Sequence, residues 1–175
     1  DYASANYYYV NKSSLPKVYG GFNTSLSWKG FDLSAIFAYS IGGYIYNRDI
    51  TMILHNGSLE GRDWSTEILR RWTPENRYTD VPALSTTSNN WNFASTRFLQ
   101  NNSYMRLKNL TLSYNLPKQL ISKLALSSVQ VFVQGDNLFT IHRNQGLDPE
   151  QGITGITYYR YPAMRTISGG INLSF

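Results

Sequence analysis

Ser168-Gly-Gly-Ile-Asn-Leu-Ser-Phe175 is the stretch from which the rest of the sequence can be read. In an extended strand successive side chains point to opposite faces, so Ile171, Leu173 and Phe175 share one face while Asn172 and Ser174 share the other. One face is apolar; the other is small and polar. The end of a soluble domain ordinarily frays into a polar tail, whereas this stretch closes on an aromatic ring. Such a strand suits a wall between hydrocarbon and water, where aromatic residues stand in girdles at the interface.

The same alternation recurs upstream. Val18, Phe22, Leu26 and Trp28 are apolar on even positions, interleaved with Asn23, Ser25 and Ser27, which predicts a strand over 18–28. Lys29-Gly30 reads as a tight turn in which glycine is free to take positive φ. Phe31, Leu33, Ala35, Phe37, Tyr39 and Ile41 return on odd positions over 31–41, about ten residues, the length a tilted strand needs to cross a bilayer. A third strand is expected at 103–115, with a phase slip: Met105 and Leu107 are odd, Leu110, Leu112 and Tyr114 even. The slip near Lys108-Asn109 marks either a bulge or the point where the strand leaves the membrane. Val129, Val131 and Val133, opposite Gln130 and Gln134, predict a strand at 128–138, and a last one runs over 163–175.

The connections alternate short, long, short, long. Lys29-Gly30 and 116–127, with Pro117 opening one helical turn, fall at one end of the strands. Residues 43–98 and 139–162 fall at the other. The first long excursion carries an expected helix: Asp63 as N-cap, Trp64, Ile68, Leu69 and Trp72 on one face, Glu67 paired with Arg71, and Pro74 as the stop. Short periplasmic turns and long external loops are the asymmetry of an outer-membrane barrel. The expected fold is therefore all-β, a transmembrane antiparallel β-barrel segment with long extracellular loops, one carrying a short helix. Leu33, Leu110, Leu112 and Val131 are expected to face outer-membrane lipid.

Composition agrees. The 175 residues include 14 Tyr, 8 Phe and 4 Trp, with 15% charged residues and no Cys. A disulfide scaffold and a cysteine metal site are excluded. No apolar run reaches the ~18 residues of a transmembrane helix, although barrel strands escape that test. The net charge of +5 is spread out, with Arg70-Arg71 and Arg106/Lys108 as its densest points. It reads as loop and rim charge, and no nucleic-acid partner is expected. The opening Asp-Tyr-Ala-Ser lacks the charged and apolar regions of an export signal. Either that signal was removed or these residues are an internal piece of a longer chain.

Catalytic chemistry finds no footing. His55 and His142 stand in separate loops, and no His-Glu-x-x-His or Gly-x-Ser-x-Gly motif occurs. Asp148 and Glu150 could form a carboxylate pair, yet Leu-Asp-Pro-Glu reads as a turn. Asp63 and Glu67 read as helix-capping residues, and neither Gly42-Gly43 nor Gly169-Gly170 opens onto a helix as a phosphate loop does. Of the Asn-x-Ser/Thr triplets, including those at Asn56, Asn109 and Asn172, the last two lie in expected strands, against a glycoprotein. No catalytic residue, metal or cofactor is expected. Trp64, Trp72 and Trp91 have two readings: contact with substrate or lid, for which amphipathic rings suit sugars, or a small core for the loop itself. The alternative to a transporter is a secreted carbohydrate-binding β-sandwich, whose apolar face would rest on a core and not on lipid.

Two resemblances sharpen this. Ser168, Gly170, Leu173 and Phe175 fill the fixed places of a pattern that resembles the carboxy-terminal assembly signal of outer-membrane barrels. Over nearly the whole chain, Tyr19-Gly-Gly-Phe22, Trp28-Lys-Gly-Phe-Asp-Leu-Ser34, Arg71-Trp-Thr-Pro-Glu-Asn76, Thr79-Asp-Val-Pro82, Asn102-Ser-Tyr-Met-Arg-Leu-Lys-Asn-Leu-Thr-Leu-Ser-Tyr-Asn-Leu-Pro117, Gly135-Asp-Asn-Leu-Phe-Thr140 and Gly146-Leu-Asp-Pro-Glu150 resemble the SusC/RagA family of TonB-dependent transporters. The resemblance implies that residues 1–175 are the carboxy-terminal portion of one barrel domain, its last five strands out of about 22. The plug and amino-terminal strands are expected outside this chain. It further implies import of a large nutrient, usually an oligosaccharide and in some members a peptide. The implied partners are a SusD-like lipoprotein outside, TonB acting through the amino-terminal part, and the remainder of the same barrel.

Overall fold

The computed structural model describes residues 4–55, 57, 61–85, 87, 92–122, 126–146, 148–150, 152–157 and 159–175. Trp91 and Asn56 lie outside the described residues.

Strand β1 (Val18–Trp28) turns directly into β2 (Phe31–Ile41). Lys29 and Gly30 both take positive φ, 48° and 87°. Those are the angles of a two-residue type I′ turn, whose twist matches that of the flanking strands. Register then runs from Trp28↔Phe31 to Val18↔Ile41. Three further strands extend the sheet: β5 (Tyr104–Asn115), β6 (Ser128–His142) and β7 (Thr166–Ser174). The order is β1-β2-β5-β6-β7 with every pairing antiparallel. The short strands β3 (Tyr44–Tyr46) and β4 (Leu99–Asn101) form a separate ladder in the first long connection. A single helical turn, Lys118–Ile121, follows Pro117.

Two strand ends differ from expectation. β6 continues to His142 because Gly135-Asp-Asn-Leu is a bulge inside the strand and not its exit. Asp136 opposes Asn109 and Phe139 opposes Leu107, leaving one extra residue on β6, and Asn137 takes φ 53° to fit it. β7 starts only at Thr166, because the backbone ahead of it is engaged elsewhere: Ala163 N–H donates to Asp148 and Met164 C=O accepts from Asn137 Nδ2.

The phase slip in β5 is likewise a bulge, since pairing continues on both sides of it. Ile36 opposes Asn109 and Phe37 opposes Leu107, so Lys108 is the extra residue. Register now explains both parities, because Met105, Leu107, Leu110, Leu112 and Tyr114 all share one face. Across the sheet that face is built of rows such as Trp28–Phe31–Tyr114–Val131–Ile171, Leu26–Leu33–Leu112–Val133 and Phe22–Phe37–Leu107–Phe139. Phe22 stacks on Phe37 at 4.7 Å, and Phe31 meets Tyr114 at 4.5 Å. Most of these side chains are exposed. Among the described residues no second sheet packs on them, which is where a β-sandwich would place its core. A continuous apolar face of this extent is a membrane surface, not a solvent surface. Among the described residues no helix is long and apolar enough to cross a membrane.

The opposite face is polar and hydrogen-bonded side chain to side chain. Ser27 donates to Asp32, Asn115 Nδ2 to Asp32 Oδ2 (2.7 Å), Gln130 Nε2 to Asn115 Oδ1 (3.1 Å) and Asn172 Nδ2 to Gln130 Oε1 (3.1 Å). This row crosses all five strands of the sheet.

Candidate functional site

At the end of the sheet with long connections, the two excursions fold into one lobe. Helix α1 (Arg48–Ile53) is capped by Asn47, whose Oδ1 accepts from Ile50 N–H at 3.1 Å. Ile45, Leu54, Ile68, Val81 and Phe98 are buried together with the polar Asn47, Asp49, Thr51, His55, Asn144 and Thr157. Asn47, Asp49, Asn144 and Thr157, with Asn102, tie the two excursions to each other. Asn47 Nδ2 donates to Gln145 C=O at 2.9 Å, Tyr159 N–H to Asp49 Oδ1 at 3.0 Å, Asn102 Nδ2 to Pro149 C=O at 2.8 Å and Asn144 Nδ2 to Asn102 Oδ1 at 3.1 Å. Tyr46 also bridges to Ile156.

The lobe is fastened to the sheet by an ionic cluster. Arg106 of β5 is 3% exposed. Its Nη1 donates to Glu150 at 2.8 Å, its Nη2 to Asp148 and its Nε to Thr140 Oγ1 at 3.0 Å. Lys108, the bulged residue, reaches Glu150 at 2.7 Å. Asp148 also accepts from the N–H groups of Glu150 (2.9 Å) and Ala163 (2.7 Å). Burial by itself would raise the Asp148 carboxyl, but the hydrogen bonds from Arg106, Ala163 and Glu150 outweigh it and hold the group below the ordinary carboxylate range. Of the expected turn Leu-Asp-Pro-Glu, Leu147 lies outside the described residues; the chain bends at Pro149, and the two carboxylates on either side of it grip Arg106. Beside the cluster lies a polar cavity of about 240 Å³, bounded by Arg106, Thr140, His142, Asp148, Ala163 and Arg165. No group of His, Cys, Asp and Glu able to hold a metal occurs among the described residues.

No family model matches the chain. It is 33% identical over 166 residues to TonB-dependent receptor P3 of Formosa agariphila, covering 89% of this chain and 16% of that protein. TonB-dependent receptor SusC of Bacteroides thetaiotaomicron is 30% identical over 170 residues, covering 95% of this chain and 16% of its own length. Among solved structures, the RagAB peptide importer superposes in its closed-closed and open-open states, each with a TM-score of 0.82 at 35% identity, over 95% of this chain and 18% of that chain. The chain belongs to the barrel of the SusC/RagA family. It spans about a sixth of the length of the curated relatives it matches, 16% and 17%. These relatives are receptors and importers, not enzymes.

Within a SusC/RagA barrel wall the expected site residues fall in two places. Ser168, Gly170 and Leu173 lie in β7 opposite Gln134, Phe132 and Val129, and Phe175 follows the strand, 91% exposed. Trp64 and Trp72 belong to the lobe, 40% and 45% exposed. Trp64 packs edge-on to the fully buried His55 at 4.9 Å, and Trp72 N–H bonds Val81 C=O at 2.8 Å. Both tryptophans keep part of their surface exposed, and Trp64 lies against the lobe's buried His55.

The expected helix is corrected in kind and extent. Only Thr66–Arg70 is helical, as a 3₁₀ turn, and its cap is Ser65, whose Oγ accepts from Glu67 N–H at 3.3 Å, rather than Asp63. With about three residues per turn, side chains three apart align. Glu67 therefore pairs with Arg70 and not Arg71, and Leu69 turns to solvent while Ile68 is buried. Helix α1 was not foreseen. Asn47 before Asp49 is a cap followed by an acidic first turn, but six residues are too few to display a period. The Arg106 cluster also went unseen, since its partners stand 42 and 44 residues away.

Proposed function

We propose that this chain is the carboxy-terminal part of a barrel that imports a large polar nutrient, an oligosaccharide or glycan fragment, across the bacterial outer membrane. The observation that carries the reading is the two-faced wall: an exposed apolar face for lipid, a hydrogen-bonded polar face for the lumen, and a folded lobe at one mouth. The lobe supplies the external surface on which a SusD-like lipoprotein would close, and its half-exposed Trp64 and Trp72 offer rings for stacking on sugars. TonB would act through the amino-terminal part, outside these residues. A peptide cargo is the second reading, favoured by the 35% identity to a peptide importer.

The test uses a bacterium in which the complete protein containing these residues is the importer under study. A fluorescent oligosaccharide ladder and a fluorescent peptide digest are offered separately, with TonB present or deleted. TonB-dependent accumulation of the oligosaccharides supports the first reading, and of the peptides alone the second. Accumulation of neither, with the protein present at the surface, overturns both.

A further inference from the structure

Gly170 is the single residue of β7 that is not exposed. What covers it is the ring of Phe132, directly opposite on β6. A Cβ built on Gly170 would stand 2.9 Å from both Cε1 and Cζ of that ring. Phe132 is out of character for its face, whose other members along β6 include Ser128, Gln130, Gln134, Asp136, Thr140 and His142. On its far side it opposes Ser113, another small residue. The ring therefore lies between small neighbours and rests on the one that has no side chain.

β7 needs such a fixture. Ser168-Gly-Gly is the kind of small, glycine-rich strand whose register is weakly specified. A one-residue slip is resisted, because it would send Ile171 and Leu173 into the lumen. A two-residue slip keeps every face and meets no such penalty. It would, however, set Ser168 or Asn172 opposite Phe132, and each puts a Cβ where the ring now lies. Among the registers that keep every face, the native one alone gives the ring a glycine.

We propose that Phe132 is a register key and Gly170 its socket, fixing β7 on β6 so that the outer edge of β7 is offered in phase to the strand that closes the barrel. This goes beyond the reading of residues 168–175 as an assembly signal, giving Gly170 a partner inside the protein instead of a role in recognition by assembly machinery.

These 175 residues contain no cysteine, so once any cysteine elsewhere in the complete protein is replaced, register can be read by crosslinking. In the complete protein, Gln134→Cys with Ser168→Cys reports the native register, while Gln134→Cys with Thr166→Cys, or Gln130→Cys with Ser174→Cys, reports two-residue slips in either direction. Directly opposed residues lie within disulfide reach, and diagonal ones at about 7–8 Å do not. Wild-type background should give mostly the native crosslink, with a small slipped fraction. Phe132→Ala and Gly170→Ala should each raise the slipped fraction about fivefold, the upper range for one cross-strand pair, and together should be no worse than either alone. Phe132→Leu serves if Phe132→Ala yields no barrel, with the same expected slip. Phe175→Ala, which tests the assembly signal, should lower the amount of barrel without changing register. Gly170→Ala reducing insertion while Phe132 variants keep native register would overturn the proposal, assigning the glycine to the machinery.

Discussion

Arg106→Leu is the sharpest test of how the external lobe is held. The side chains of Arg106 and Asp148 are 4% and 8% exposed, while that of Glu150 is 38% exposed and keeps Lys108 as a partner. Removing the guanidinium leaves one carboxylate buried without its cation, and breaking a buried pair this way costs about 3–5 kcal/mol. The contribution through Glu150 is discounted for solvent screening, so about 3 kcal/mol is the working figure. At about 1.4 kcal/mol per factor of ten, local opening of residues 148–163 should become on the order of 100-fold more frequent. Hydrogen exchange on the complete protein in detergent reads this at the Glu150 and Ala163 amides, both of which donate to Asp148. Strand amides such as those of Leu112 and Val131 should keep their protection. Unchanged exchange at Glu150 and Ala163, or equal loss in the strands, would refute the idea that Arg106 anchors the loop locally. The pH dependence has a definite sign. The folded Asp148 carboxyl lies below its unfolded value, so its contribution is fully present above about pH 4 and fades as pH falls through the lowered folded value. The anchor should therefore be insensitive between pH 6 and 8 and loosen only in acid.

Three further outcomes follow from the wall and the lobe. Leu112→Arg or Val131→Arg should cost roughly 2–4 kcal/mol of barrel stability at mid-bilayer, whereas Ser25→Arg, facing the lumen, should cost far less. The check is the urea midpoint of the heat-modifiable band. Phe175→Ala should lower the surface-labelled barrel but leave uptake per labelled barrel unchanged. Shortening the Gly57–Asn92 excursion should do the reverse: it removes Ile68 and Val81 from the lobe core but leaves strand pairing intact, and normal uptake per barrel would reduce that excursion to a spacer.

The wall was legible in the sequence because its signal is local. Alternation over ten residues survives in Phe31–Ile41 whatever surrounds it, and Lys29-Gly30 names its own turn. The Lys108 slip could be seen, but which way it resolved could not, since that depends on Leu107 finding Phe37 and Phe139 on neighbouring strands. The lobe resisted reading for the opposite reason. Its elements among the described residues are a six-residue helix, 3₁₀ turns of five and three residues and two three-residue strands. None completes enough periods to be told from loop, and their geometry is set by contacts between distant segments, such as Asn47 with Gln145. Arg106, Asp148 and Glu150 were each conspicuous as charges in a chain with few, yet sequence offers no measure of which charges meet.

Those distant contacts also constrain how the mouth of the barrel can move. Both excursions leave the wall at Ser103: Gly42 N–H donates to its Oγ at 3.0 Å, and Arg143 N–H to its C=O at 3.3 Å. Asn102 N–H adds a bond to Gly43 C=O at 2.8 Å. Higher up, Asn47, Asp49, Asn102 and Asn144 cross-link the two excursions, and the Arg106 cluster pins the second to β5. Swinging one excursion as a flap would leave several buried polar groups unpaired at once, each costing about 1–3 kcal/mol. The described part of the lobe is therefore a platform continuous with the wall.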